Sequence, residues 1–103
     1  MVKRIIWTSR ADQIYTYILE FYIQRNRSKT YSKKLNSEVK KLVQLLSKHP
    51  FLGKKSALPN IRISIKGNFN IIYKIYPEEI GILLFWNSRQ NPNKLKDFLT
   101  DIK

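Results

Sequence analysis

The chain of 103 residues contains no cysteine, one histidine and only three glycines. Without cysteine there is no disulfide and no thiolate metal site, which suits a protein from a reducing compartment. One histidine cannot build a typical zinc site, and three scattered glycines form no glycine-rich phosphate loop. We therefore expect no cofactor.

Long apolar segments are also missing. The opening sequence MVKRIIW lacks the apolar core of a secretory signal, and no stretch approaches the roughly 18 apolar residues of a membrane-spanning helix. We therefore expect a cytoplasmic protein without a membrane partner. With 43% hydrophobic residues, a chain of this length can bury one modest core, so residues 1–103 are predicted to form a single domain.

Acidic residues are scarce. Seven Asp and Glu oppose 20 Lys and Arg, which gives a net charge of +13 and a pI near 10.2. Self-repulsion of that size indicates a polyanionic partner, either nucleic acid or an acidic protein, unless the basic residues only solvate exposed faces. The charge is patterned, because residues 25–55 hold ten Lys and Arg against Glu38 alone.

Two amphipathic helices are predicted near the start of the chain. The first begins at Ser9, the N-cap of a capping-box pattern SRAD, and the second runs from Thr30 to about Lys48. The opposite face of the second helix is basic and includes Lys33 and Lys40. Because only a few residues join the helices, they should form an antiparallel hairpin. The apolar face of the second helix comprises Leu35, Val39, Leu42, Val43 and Leu46.

Four strands are predicted, at residues 3–7, 61–65, 69–76 and 80–86. The second and third alternate apolar with polar residues. A three-residue loop, Lys66-Gly67-Asn68, would place the apolar residues of both strands on one face, whereas a two-residue loop would mix the faces. We therefore predict the three-residue loop and a polar, basic opposite face. That face would carry Arg62, Ser64, Asn70, Lys74 and Tyr76.

The longest apolar run, Ile80 to Trp86, predicts a strand that is buried on both faces and lies at the centre of the sheet. It leads into a polar turn with Arg89, followed by Asn91 and Pro92, a signal for a helix start. A short C-terminal helix is therefore predicted. The order of elements is β-α-α-β-β-β-α.

Positive charge supplies the remaining candidate chemistry. Tyr73 or Tyr76 could stack on a base beside a bound phosphate. An equally open interpretation is structural, with Arg62 and Arg89 making hydrogen bonds at strand ends. His49, at a helix end, is interpreted as a surface residue rather than a catalyst. The candidate phosphate ligands are Arg62, Lys66, Lys74 and Arg89.

Five short motifs carry a resemblance to a known family. They are IIWTSRA at 5–11, LLSKHPFLG at 45–53, NIR at 60–62, FNIIY at 69–73 and RQNP at 89–92. In this order they resemble the RelE/ParE superfamily of bacterial toxins, closer to its ParE-like branch, over almost the whole chain. The resemblance implies an α+β fold with a helical hairpin packed on a mainly antiparallel four-stranded sheet and a short C-terminal helix.

The resemblance also implies a toxin of a type II toxin-antitoxin system. Such a toxin is held inactive by a cognate antitoxin, and an acidic segment that is partly disordered when free would neutralise the positive charge. A hetero-oligomer of toxin and antitoxin is a possible assembly. We expect Tyr15, Leu19 and Tyr22 at the rim of the antitoxin groove.

Two activities divide the superfamily. RelE-like members cleave messenger RNA in the ribosome, whereas ParE-like members poison DNA gyrase. The chain has Asn70 where RelE-like members commonly carry arginine, Trp86 where some nucleases supply histidine, and no tyrosine after Arg89. These departures favour a ParE-like toxin that binds gyrase and its DNA.

Two alternatives stay open. One is a ribosome-dependent endoribonuclease that uses the four candidate phosphate ligands, and the other is a basic nucleic-acid-binding module without toxic activity. Target choice in such folds can depend on surface residues that no motif records. The predicted contacts with the target are Lys33, Lys40, Lys54, Lys55, Arg62 and Arg89.

Overall fold

The computed structural model describes residues 2–67 and 69–87. The predicted C-terminal helix and Arg89 lie outside these residues. The helices and strands in chain order are β1 (Arg4–Trp7), α1 (Ser9–Asn26), α2 (Thr30–Lys48), a short 3-10 helix (Pro50–Leu52), β2 (Lys54–Lys55), β3 (Ile61–Lys66), β4 (Phe69–Ile75) and β5 (Glu79–Asn87). The predicted α+β class with a helical hairpin is confirmed.

Within the described residues the sheet has five strands, in the order β1-β5-β4-β3-β2. β1 runs parallel to β5, and the other neighbours are antiparallel. The strand that raises the predicted count from four is β2, in which Lys54 and Lys55 pair with Ile63 and Arg62. Because β2 consists of two exposed lysines and has no apolar pattern, it could not be predicted from the sequence. β5 is an interior strand, although β4 rather than β5 occupies the middle of the sheet.

The helical hairpin covers one face of the sheet. Core residues from α1 and α2 pack against residues from β4 and β5. Two side-chain hydrogen bonds join the helices: the Ser32 hydroxyl donates to the Leu19 carbonyl at 2.7 Å, and the Tyr15 hydroxyl donates to Asn36 Oδ1 at 2.7 Å. The buried apolar residues of the helices are Ala11, Tyr15, Ile18, Leu35, Val39, Val43 and Leu46.

The N-cap of α1 is Thr8, one residue before the predicted Ser9. The Thr8 side-chain oxygen accepts a hydrogen bond from the Ala11 amide at 3.1 Å, which satisfies a backbone donor in the first turn. The same hydroxyl donates to the Leu83 carbonyl of β5 at 3.3 Å. Thr8 therefore begins the helix and fixes its start to the sheet.

The predicted three-residue loop between β3 and β4 is wrong. Lys66 pairs with Phe69, which leaves only residues 67 and 68 in the loop. Gly67 has a φ of +58°, a backbone conformation that favours glycine in two-residue hairpin turns. In this register Arg62 lies opposite Tyr73, on the side of the sheet that faces the helices.

The predicted polar face of the β3–β4 hairpin is therefore wrong as well. Arg62 and Ser64 lie on the helix side, so they do not share a face with Asn70, Lys74 and Tyr76. The prediction assumed one apolar face, whereas both faces of this sheet are apolar. The other side of the sheet has its own buried cluster, formed by Ile61, Ile72, Leu84 and Trp86, and Ile14 of α1 also packs against it.

A register shift between β4 and β5 decides which residues of the apolar run join each cluster. Ile72 pairs with Leu84 whereas Tyr73 pairs with Ile82, so Leu83 is an extra residue on β5. Such a bulge changes which side successive residues face. Ile80, Ile82 and Phe85 consequently join the helix-side cluster, and Leu84 and Trp86 join the other.

None of the helices within residues 2–67 and 69–87 is long and apolar enough to cross a membrane.

The observed cap predicts a stability difference between two adjacent residues. Thr8→Ala should lower the free energy of unfolding by about 1 kcal/mol, because the Ala11 amide loses its partner. Ser9→Ala, at an exposed helical residue, should change it by less than about 0.5 kcal/mol. Urea unfolding of both variants measures the difference, and equal losses would contradict the assignment of Thr8 as the cap.

Candidate binding surfaces

Arg62 and Tyr73 hold the segment between α2 and β2 against the sheet. The Arg62 guanidinium donates to the carbonyls of Phe51 at 3.1 Å and Gly53 at 2.8 Å, and it lies 5.0 Å from the centroid of the Phe51 ring. The Tyr73 hydroxyl donates to the Pro50 carbonyl at 2.7 Å and accepts from the Gly53 amide at 2.9 Å. We call these five residues the Arg62 clasp.

The clasp depends on a glycine at position 53. A Cβ there would lie 2.6 Å from the Tyr73 hydroxyl oxygen and 3.0 Å from the Ile63 carbonyl oxygen, so a side chain would displace the tyrosine or the strand. Burial raises the pKa of the Tyr73 phenol, against the lowering effects of the Gly53 amide and the Arg62 charge. The phenol therefore stays protonated at neutral pH and can donate to Pro50.

The candidate phosphate ligands do not all meet at one place. Arg62 and Lys66 lie on the helix side of the sheet, because they pair with Tyr73 and Phe69. Lys74 pairs with Ile61 on the opposite side, and its Nζ lies 5.3 Å from the centroid of the Tyr76 ring. Arg89, the fourth, is outside the described residues.

The candidate stacking residues also differ from each other. Tyr73 is fully buried within the clasp, so its ring cannot stack on a base in this structure. Tyr76 is 37% exposed and lies beside Lys74. Of the two, only Tyr76 offers a ring surface to solvent.

Arg89 is outside the described residues, and the other five predicted target contacts lie on two exposed elements and in the clasp. Lys33 and Lys40 project from α2, and Lys54 and Lys55 form the edge strand β2. The clasp fixes the residues just before β2, and among the described strands β2 pairs only with β3. Arg62 thus holds Lys54 and Lys55 in place through its hydrogen bonds to Phe51 and Gly53.

Tyr15, a predicted antitoxin contact, forms the floor of a groove beside β1. Its ring stacks on Trp7 with 5.1 Å between centroids and meets the Phe85 ring edge to face at 4.9 Å. The groove has a volume of about 380 Å³, and Ile5 and Lys40 also line it. We call it the β1 groove. Tyr15 is only 9% exposed, and burial raises the pKa of its phenol to about 12.

Leu19 and Tyr22, the other predicted antitoxin contacts, do not line the β1 groove. Both are half-buried and pack against the helix-side core. Tyr22 lies between the rings of Phe21 and Tyr31, at centroid distances of 5.3 and 4.6 Å. The three predicted residues therefore share one helix but not one groove.

A second groove, which the sequence did not predict, lies between α2 and the β3–β4 hairpin. It has a volume of about 240 Å³, with Phe69, Ile71 and Phe85 from the sheet and Lys34 and Lys66 among its lining residues. Only the two-residue loop places Lys66 on the helix side. The predicted register put Lys66 in the loop, so it gave no indication of this groove.

Metal-binding chemistry has no candidate in residues 2–67 and 69–87, where no three His, Cys, Asp or Glu side chains cluster closely enough to hold an ion. His49, the C-cap of α2, is exposed, in agreement with its interpretation as a surface residue.

The fold and these surfaces define a small basic α+β protein whose helical hairpin covers one face of a mostly antiparallel sheet. The family model described as "ParE toxin of type II toxin-antitoxin system, parDE" matches residues 5–92. The chain therefore belongs to the ParE toxin family, and the predicted resemblance to the RelE/ParE superfamily is confirmed.

Comparison with solved structures agrees with this fold. A chain of the "Chromosomal ParDE TA system from P. aeruginosa" superposes with a TM-score of 0.70 at 19% sequence identity, covering 84% of this chain and 96% of that one. At 19% identity, this similarity is evidence for a shared fold alone. A comparison with curated proteins found no matching sequence.

The Arg62 clasp predicts an unequal response to the loss of two tyrosine hydroxyls. Tyr73→Phe should lower the free energy of unfolding by about 1–3 kcal/mol, because the Gly53 amide and the Pro50 carbonyl lose their partner. Tyr17→Phe is the control. That side chain is 65% exposed, so removing its hydroxyl should lower the free energy of unfolding by less than about 0.5 kcal/mol. Equal unfolding free energies for Tyr73→Phe and Tyr17→Phe would show that the two hydrogen bonds of the Tyr73 hydroxyl contribute nothing to stability.

Proposed function

We propose that this toxin inhibits growth by binding DNA gyrase, without a catalytic step of its own, and that a cognate antitoxin neutralises it. Membership in the ParE family makes the chain a type II toxin. The gyrase target, the absence of catalysis and the antitoxin complex are the proposed parts.

The dispersal of the cationic residues is the observation that carries the binding mechanism. Cleavage of RNA needs groups that activate the 2′-hydroxyl, protonate the leaving oxygen and stabilise the phosphorane, all within hydrogen-bonding reach of one phosphate. Arg62 instead donates to two backbone carbonyls, and Lys74 lies on the opposite side of the sheet from Lys66. This separation supports binding over catalysis.

The charge distribution supports a nucleoprotein target. Lys33 and Lys40 on α2 and Lys54 and Lys55 on β2 are exposed, and they belong to a chain with a net charge of +13. Exposed cations on separate elements suit an extended polyanionic surface such as gyrase with its bound DNA. We assign the target contacts to these lysines and Arg89, with Arg62 in a positioning role.

The β1 groove is the proposed docking site for the antitoxin. Its lining is mainly apolar and aromatic, with Lys40 and Asp12 as the charged members, and within residues 2–67 and 69–87 the neighbouring strand β1 pairs only with β5. An acidic segment with apolar anchors could fill the groove, and its backbone could extend the sheet at β1. Tyr15 would contact such anchors directly, whereas Leu19 and Tyr22 would contact a segment that continues along α1.

Because Lys40 is assigned to both surfaces, the antitoxin would cover part of the target surface. Neutralisation then needs no change in the toxin's shape. It follows from competition for the same face of α2.

The target proposal predicts the outcome of induced expression. The chain alone should arrest growth and induce the DNA damage response while transcripts remain intact, and co-expression of the adjacent open reading frame should restore growth. Messenger RNA cut at ribosomal A sites would reject the gyrase target in favour of a ribonuclease. Normal growth of cells that accumulate the folded chain would reject both.

The antitoxin proposal predicts a difference between two adjacent lysines. Lys40→Glu should slow association with the purified product of the adjacent open reading frame roughly 10-fold, because it reverses a charge at the β1 groove. Lys41→Glu makes the same charge change on an exposed residue that does not line the groove, so it should have a smaller effect. Stopped-flow or surface-based kinetics measure both rates. Equal slowing would place the antitoxin elsewhere.

A further inference from the structure

Four aromatic rings form a continuous row on the surface of the helical hairpin. Tyr17 and Phe21 stack with 6.5 Å between centroids, Phe21 meets Tyr22 edge to face at 5.3 Å, and Tyr22 meets Tyr31 of α2 at 4.6 Å. We call these residues the aromatic ladder. It joins α1 to the start of α2.

The ladder is unusually exposed for a row of large rings. Tyr17 is 65% exposed, Phe21 46% and Tyr31 38%. Only Tyr22 packs against the helix-side core. An exposed row of rings that the core does not require marks a surface for another molecule.

The surroundings of the ladder are strongly basic. Between residues 17 and 34 the chain has five Lys and Arg, all exposed, and Glu20 as the single acidic residue. Arg25, Arg27 and Lys29 lie at the turn of the hairpin, and Lys33 and Lys34 lie on the first turns of α2. Rings beside cations suit a ligand that has both flat aromatic groups and a negatively charged backbone.

A cavity continues the ladder beyond Tyr17. It has a volume of about 300 Å³ and is lined by Gln13, Ile14, Tyr17 and Trp86. Two aromatic walls and one amide are the groups that hold an unstacked base, by stacking on its faces and hydrogen bonding to its edge. The cavity therefore extends the row of rings with a site that could take one base.

We propose that the aromatic ladder binds single-stranded nucleic acid. The bases stack on the Tyr17 and Phe21 rings, and the backbone phosphates contact the cations of the hairpin turn. Duplex DNA fits less well, because its base faces are already stacked on one another. This inference does not depend on gyrase as the target, since it concerns the toxin alone.

An acidic protein segment is the competing partner for such a surface. It would satisfy the cations equally well, but it lacks the flat ring faces that stack on exposed aromatic side chains. The preference for bases over a plain polyanion therefore distinguishes the two.

Fluorescence anisotropy with the purified full-length toxin tests the proposal. A labelled oligothymidylate, a duplex of the same length and polyglutamate serve as the three probes. The single strand should bind tightest. Tyr17→Leu combined with Phe21→Leu should weaken its binding at least about fivefold, because stacking on one aromatic side chain contributes about 1–3 kcal/mol per base.

Leu45→Ala is the matched control. Leu45 is a large apolar residue that is 44% exposed, lies on α2 and is not part of the ladder. It should leave oligothymidylate binding unchanged. Circular dichroism verifies that each variant is folded.

Three results would overturn the proposal. They are equal affinities for the double variant and the wild type, equal loss in the double variant and Leu45→Ala, and polyglutamate binding as tight as oligothymidylate. If the double variant does not fold, NMR of the wild-type toxin decides: oligothymidylate should shift the Tyr17 and Phe21 ring resonances, and unchanged resonances would equally reject the ladder as the site.

Discussion

One extra residue in β5 decides which side of the sheet each later residue of its apolar run faces. Because Leu83 interrupts the pairing with β4, the run faces the helices at its start and at Phe85, and the opposite side at Leu84 and Trp86. Since the run is apolar along its length, it supplies apolar residues to both sides of the sheet. The Leu83 carbonyl also accepts the hydrogen bond from Thr8, so the start of α1 is fixed to the bulge. The helical hairpin and its surfaces take their position from this point.

The candidate surfaces follow from what the core leaves exposed. The core uses one stripe of each helix, which leaves exposed lysines on α2 and the exposed rings of the aromatic ladder. At one edge of the sheet formed by residues 2–67 and 69–87, β1 has no strand on its outer side, next to the β1 groove. At the other edge, the Arg62 clasp positions β2 and its two lysines. These surfaces offer groups suited to binding: apolar grooves, aromatic rings and positive charge.

Much of the fold could be predicted from periodicity. The two helices and the strands β3, β4 and β5 show clear apolar patterns, and α2 has the predicted bounds. The β3–β4 register could not be predicted. The alternation of apolar and polar residues distinguishes a two-residue from a three-residue loop only when a single face of the sheet is apolar. Here Ile61 and Ile72 are buried on one side, and Ile71 and Tyr73 on the other. The bulge at Leu83 leaves no signal inside a run that is apolar throughout.

The candidate site was harder to predict than the fold. A sequence cannot show whether an arginine side chain binds a ligand or backbone groups of its own chain. Arg62 donates to the carbonyls of Phe51 and Gly53, and these come within reach because Gly53, which has no side chain, packs closely against Tyr73 and Ile63. Tyr15 is a predicted antitoxin contact on α1, but its burial depends on Trp7 and Phe85, which the sequence does not place beside it. The aromatic ladder could have been noticed from Tyr17, Phe21 and Tyr31, since large rings at these positions fall outside the apolar stripes.

We propose that this ParE-family toxin acts by binding gyrase and not by cleaving nucleic acid. The test adds the purified toxin to purified gyrase and relaxed plasmid, with naked RNA and translating ribosomes assayed in parallel. Gyrase binding predicts loss of supercoiling and accumulation of covalent gyrase–DNA complexes, with RNA intact in both parallel assays. Unaffected supercoiling at saturating toxin, together with cleaved messenger RNA on ribosomes, would contradict it.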